Sequence, residues 1–182
     1  MQQTLFSLAA IFSFSILGYT MHRNAIETEQ EAYMAEIEAQ AFDHALFVAN
    51  EIKQLAFDEA DVGRTQMRSD GDTAGLTPPA ALGRDADERT FRDVDDLDDL
   101  RQGAYKRNWR LGNGQVRLRT RFDVVYVDPM NFEREIGPEE GPTTAKMVTI
   151  IVTEEDPIPG ASAPIEVTLK VPLTPSKLFL HH

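Results

Sequence analysis

The first 57 residues constrain this chain most, because they read as one uninterrupted helix with two different surfaces. Residues 1–21 contain no charged side chain. Leu5, Phe6, Leu8, Ile11, Phe12, Phe14, Ile16, Leu17, Tyr19 and Met21 make that run apolar on every side. At 1.5 Å per residue it is roughly 30 Å long, the thickness of a bilayer's hydrocarbon core. The character changes at His22. Ile26, Tyr33, Ile37, Ala41, Ala45, Val48, Ile52 and Leu55 then recur at helical spacing and form a single apolar stripe. Glu27, Glu29, Glu31, Glu36, Glu38, Asp43 and Glu51 lie between them. His44 is expected on the polar side. A stem of this kind spans roughly 85 Å and must pack against something outside its own domain.

Composition narrows the function classes. The 182 residues hold 18 Lys and Arg against 30 Asp and Glu, a net charge of −12. Such a balance disfavours a nucleic-acid partner, because phosphates need cations to neutralise them. There is no Cys, hence no disulfide, thiolate metal site or Cys nucleophile. The apolar run is not preceded by Lys or Arg, and no small-x-small cleavage pattern follows it. It is therefore expected to be retained rather than removed as a signal peptide.

Gly63 is a candidate helix terminator. Residues 63–90 hold Gly63, Gly71, Gly75, Pro78, Pro79 and Gly83 and read as a long loop, with a short helical turn over 79–82. After it the pattern turns to β. Residues 105–111 and 116–127 flank Gly112-Asn113-Gly114, a strong hairpin signal. In the second of these strands Val116, Leu118, Thr120, Phe122, Val124 and Tyr126 share one face, and Arg117, Arg119, Arg121 and Asp123 share the other. Residues 145–153 and 165–173 complete a four-stranded antiparallel meander. One sheet face needs a cover, and the stripe from Ile37 to Leu55 matches it. The expected fold is therefore α+β: a stem over 1–60 (1–21 apolar, 22–60 amphipathic) and a β-rich head over 61–182.

A long helix, apolar first and amphipathic second, followed by a loop and an antiparallel sheet, resembles the type IV pilin and pseudopilin family. The Asp-rich run 93–100 before the first strand is similar to a segment of many minor pilin-like proteins. The resemblance implies a structural subunit rather than an enzyme. It would polymerise with copies of itself through the stem, packing Leu5, Leu8, Ile11, Phe12, Ile16 and Leu17 against neighbours. It would sit in the bacterial inner membrane before assembly and in an extracellular filament afterwards. The sequence departs from the family at the fifth mature position, where the family's Glu is absent and Leu5 stands, and no prepilin cleavage junction is present. Phe14 and His22 stand where the family carries helix-loosening Gly and Pro, so a continuous helix is expected.

Two constellations could carry chemistry. Asp93, Asp95, Asp96, Asp98 and Asp99 place five carboxylates in seven positions, a set that a hard cation such as Ca²⁺ favours. The alternative is a solvated acidic turn bounding the sheet, with no cofactor. The row Arg117, Arg119, Arg121 could meet an acidic surface of an adjacent subunit, or be the wet face of a strand. Trp109, beside Lys106, Arg107 and Arg110, is expected in the core. No HExxH, GxSxG or P-loop pattern occurs. The alternative to a filament subunit is a single-pass membrane protein with a partner-binding sheet domain.

Overall fold

The computed structural model describes residues 2–63, 71–84, 91, 93–101, 103–111, 114–156 and 163–175, without side chains for residues 2–5 and 105–115. The hairpin turn at Gly112-Asn113 and the side chain of Trp109 lie outside that set, as does the side chain of Leu5. The chain divides into two compact units, Met1–Ala39 and Gln40–His182.

Helix α1 spans Gln2–Ile52 without a break. The unit Met1–Ala39 is helix throughout its described length. In it Phe6, Leu8, Ile11, Phe12, Phe14, Ile16, Leu17, Tyr19 and Met21 are all more than half exposed, and Ile37 is buried. Ser13, Ser15 and Thr20 turn their hydroxyls back to carbonyls four residues earlier, which satisfies these polar groups within the helix.

The expected placement in an inner membrane is corrected. Among the described residues no helix is long and apolar enough to cross a membrane. The apolar stretch with described side chains covers residues 6–21, about 24 Å at 1.5 Å per residue against a ~30 Å hydrocarbon core. Ser7, Ser13, Ser15 and Thr20 dilute it further, and His22 and Arg23 close it.

In the second unit the sheet forms as a meander. Strands β1 (Ala104–Leu111), β2 (Gly114–Asp128), β4 (Lys146–Glu154) and β5 (Glu166–Leu173) pair antiparallel in the order β1–β2–β4–β5. A short strand absent from the sequence reading, β3 (Asn131–Glu135), pairs with the end of β2. The Asp128 side chain accepts the N–H of Met130 and starts that turn. Burial alternates along β2 as the pattern required: Val116, Leu118, Thr120, Phe122, Val124 and Tyr126 are inside, and Arg117, Arg119, Arg121 and Asp123 are outside. Val124 and Ile150 are fully buried, as are Val148 and Val152 on β4.

The amphipathic stripe turns inward as expected: Ala41, Ala45, Val48 and Ile52 are each at most 1% exposed. His44 is a correction. It is buried, not on the polar side, and its Nε2 lies 3.1 Å from Thr120 Oγ1 on β2. Position 44 lies three residues after Ala41 and four before Val48, so helical period alone puts it on the inner face.

The helix also ends earlier than residue 57. It stops at Ile52, and after a turn Ala56 forms a parallel bridge with Asp96, through Ala56 N–H to the Asp95 carbonyl at 2.9 Å and Leu97 N–H to the Ala56 carbonyl at 3.0 Å. Asp58 then caps a short 3₁₀ turn, η1 (Glu59–Asp61), by accepting the N–H of Ala60. Gly63, at φ 71°, follows this turn rather than the long helix, in the left-handed region glycine tolerates best. Over 79–82 the expected helical turn is a single hydrogen-bonded turn, Ala81 N–H to the Pro78 carbonyl. The Arg101 guanidinium fixes that stretch by donating to the carbonyls of Pro79 and Leu82.

Candidate functional site

Two features of this chain are candidates for function: the apolar helix surface over residues 6–21, and a buried group of charges where the chain leaves the helix.

The apolar surface is defined by exposure. Leu8, Ile11, Phe12, Ile16 and Leu17, expected to pack between subunits, are 71, 67, 67, 52 and 55% exposed. At 100° per residue, these five together with Phe6, Phe14, Tyr19 and Met21 surround the whole helix circumference. Such a surface exceeds the apolar patches that monomers in water usually expose.

The buried group is built by three segments. Strand β4 begins with Lys146, whose inward position follows from the period of two it shares with Val148, Ile150 and Val152. The segment after α1 supplies Phe57 and Asp58, and the Asp-rich run supplies Asp96, Asp98 and Asp99 around a second 3₁₀ turn, η2 (Asp98–Leu100). Lys146 Nζ donates to the Phe57 carbonyl at 2.5 Å, to Asp58 Oδ2 at 3.1 Å and to Asp98 Oδ1. The ammonium also lies over the rings of Phe57 and Tyr126, 4.4 and 4.8 Å from their centroids. Asp58 is held from further sides by the Tyr126 hydroxyl at 2.9 Å and by the N–H and hydroxyl of Thr77. Asp96 Oδ1 accepts the N–H groups of Asp98 and Asp99 at 2.7 and 3.2 Å. These contacts tie the loop at Thr77, the helix exit, the Asp-rich run and β4 to one cation.

Among the described residues, one ammonium contacts two carboxylates of this group, Asp58 and Asp98. Burial pushes Asp58 up, but the charge and hydrogen bond of Lys146, with the Thr77 and Tyr126 donors, outweigh it and hold this carboxyl below the usual range. Burial raises Asp96 to about 7, against the two N–H bonds it accepts. Burial also raises Asp98 to about 7, against the pull of Lys146 and assisted by the negative charges of Asp96 and Asp58. Tyr126 is pushed above the ordinary phenol range by burial and by the adjacent carboxylates.

The acidic run therefore splits. Asp93 and Asp95 are exposed, while Asp96 and Asp98 are buried. Among the described residues no group of three or more His, Asp or Glu side chains is placed to hold a metal ion. Asp98 of the run accepts from the ammonium of Lys146. In the basic row, Arg117 donates to Asp156 at 2.6 Å and Arg121 lies 3.7 Å from Glu166, both partners within the chain. Both pairs are about half exposed, so each contributes little to stability. Arg119 is exposed between them.

No family model, curated protein or solved structure matches this chain.

Of the buried group, Lys146, Phe57, Asp58 and Thr77 are not singled out by the sequence as site residues; for Lys146 a signal exists. Its signal was the alternation of β4, in which residue type argued for solvent and period argued for the core.

Proposed function

We propose that this chain is a structural subunit of a type IV pilus-like filament, polymerising with copies of itself through its N-terminal apolar helix. The observation that carries this reading is the band of nine large apolar side chains, 52–75% exposed, around residues 6–21. Burying each would be worth roughly 1.5–3 kcal/mol, a gain available only in contact with another apolar surface. Identical stems packed side by side would supply it. The order of elements, helix then antiparallel sheet, fits the same family. The Arg119 side of β2, where an arginine stands free of the pairs made by Arg117 and Arg121, is a reasonable place for contact with an acidic neighbour.

The test is sedimentation and negative-stain microscopy of the full chain, beside Ile11→Asp and Phe12→Asp. The wild type should form filaments, and either variant should remain a folded small species. Filaments of normal length and abundance from either variant would overturn this reading.

A further inference from the structure

The buried group around Lys146 has the parts of a bond-forming site. We propose that the Lys146 amine and the Asp98 carboxyl condense to an intramolecular amide, with Asp58 as the catalytic residue that relays the proton. This inference does not depend on the filament reading.

Four observations support it. The nucleophilic nitrogen is hydrogen-bonded to the carboxyl that carries the electrophilic carbon, since Lys146 Nζ donates directly to Asp98 Oδ1. A second carboxylate, Asp58 Oδ2, lies 3.1 Å from the same nitrogen, within proton-transfer reach. Asp58 is oriented by Tyr126 and Thr77, which act as positioning residues. Finally, water is excluded: the side chains of Lys146 and Asp58 have no exposure, and that of Asp98 is 4% exposed. The rings of Phe57 and Tyr126 wall the amine.

The chemistry balances without any further reactant. One proton passes from the ammonium to Asp98 Oδ1, giving a neutral amine and a neutral acid. The amine lone pair attacks Asp98 Cγ and the N–C bond forms. Asp58 takes a second proton from Nζ and hands it to the Oδ1 hydroxyl. The C–O bond breaks, water leaves, and Asp58 is a carboxylate again. Asp98 Oδ2, which makes no hydrogen bond among the described residues, becomes the amide carbonyl oxygen.

In water this reaction fails, because amine and acid are held apart as solvated ions. Here burial disfavours the ions. Asp98 sits at about 7, so the neutral acid is populated near neutral pH. Fixed contact also replaces a bimolecular encounter, where effective molarities reach on the order of 10⁵–10⁸ M. The product would join β4 to the Asp-rich run across 48 residues in a chain that has no Cys for a disulfide.

The experiment is the intact mass of the purified full chain under denaturing conditions, followed by proteolysis and fragment sequencing. The expected mass is one water below that of the chain. The expected fragment is a branched peptide joining position 146 to position 98. Asp58→Ala should keep the full mass, and Asp98→Ala should too. A wild-type chain with no missing water would overturn the proposal. So would a deficit mapped elsewhere, such as a cyclised Asp70-Gly71, or a link from Lys146 to Asp58. Full linkage in Asp58→Ala would overturn the relay role. Should that variant not fold, Asp58→Asn, which keeps the shape and the hydrogen-bonding oxygen but loses the proton acceptor, takes its place, and full linkage in it overturns the relay role.

Discussion

Lys146 donates to Asp58 at 3.1 Å across 88 residues of sequence, and neither side chain has any exposure to solvent. A buried pair of this kind is weak evidence of net stability in itself, but breaking it is expensive, because the partner is left charged and dry. Measured against chain that retains the full mass and hence the ammonium, Lys146→Met should therefore cost roughly 3–5 kcal/mol at pH 7, read as the drop in unfolding free energy in urea. Adding Asp58→Asn and Asp98→Asn should restore part of that loss by removing the orphaned charges. A Lys146→Met chain as stable as the wild type would show that the ammonium does not hold these segments together.

The carboxylates also set a pH dependence. Asp96 titrates at about 7 in the folded chain, well above an unfolded carboxyl at about 4. The folded state thus keeps this proton longer, and the stability it contributes is complete below about pH 4 and lost as pH rises through about 7. Asp58, held low, acts in the opposite sense: its contribution is present above about pH 4 and is lost on further acidification. Asp96→Asn keeps the oxygen that accepts the Asp98 and Asp99 N–H groups while removing the charge. It should flatten the decline between about pH 5 and 8 and exceed the wild type by roughly 1–3 kcal/mol at pH 8. Urea titrations at both pH values check this, and an unchanged slope would refute it.

Helix and sheet are joined at His44 and Thr120. Thr120→Val removes a hydroxyl partner of a buried imidazole and should cost about 1–2 kcal/mol, whereas Thr120→Ser should cost less. Val48→Asp would bury an unpaired charge on the same helix face, at a cost of about 3 kcal/mol or more. Thermal unfolding of the three variants tests the joint. Equal midpoints for Val and Ser at position 120 would deny the hydrogen bond any part in it.

Charge should influence assembly. Residues 22–59 carry nine acidic side chains against two basic ones, so stems side by side repel. Arg119→Glu removes a cation that makes neither of the pairs beside it and should slow filament formation at low salt. The difference should shrink toward 1 M salt, where the Debye length falls to about 3 Å. Light scattering at two salt concentrations measures it. Identical assembly curves at both would assign Arg119 to a merely solvated strand face.

Local pattern made the long helix, the four main strands and their faces legible, though not the short strand β3 or the end of α1. A helical period fixed which side of α1 turns inward around Ala41, Ala45 and Val48, and a period of two fixed both faces of β2. Both follow from backbone geometry, which repeats regardless of what lies nearby. The apolar surface over residues 6–21 was legible for the same reason. What local pattern leaves open is which partners a polar residue at an inward position meets. Lys146 and His44 occupy inward positions that their period allowed and their chemistry argued against. They are tolerated because Asp58, Asp98 and Thr120 arrive from distant segments to satisfy them. The course of the chain after α1 is likewise long-range, since Ala56 pairs with Asp96. Local pattern fixes direction, whereas the partner of a buried polar group is a long-range fact that no short window of sequence contains.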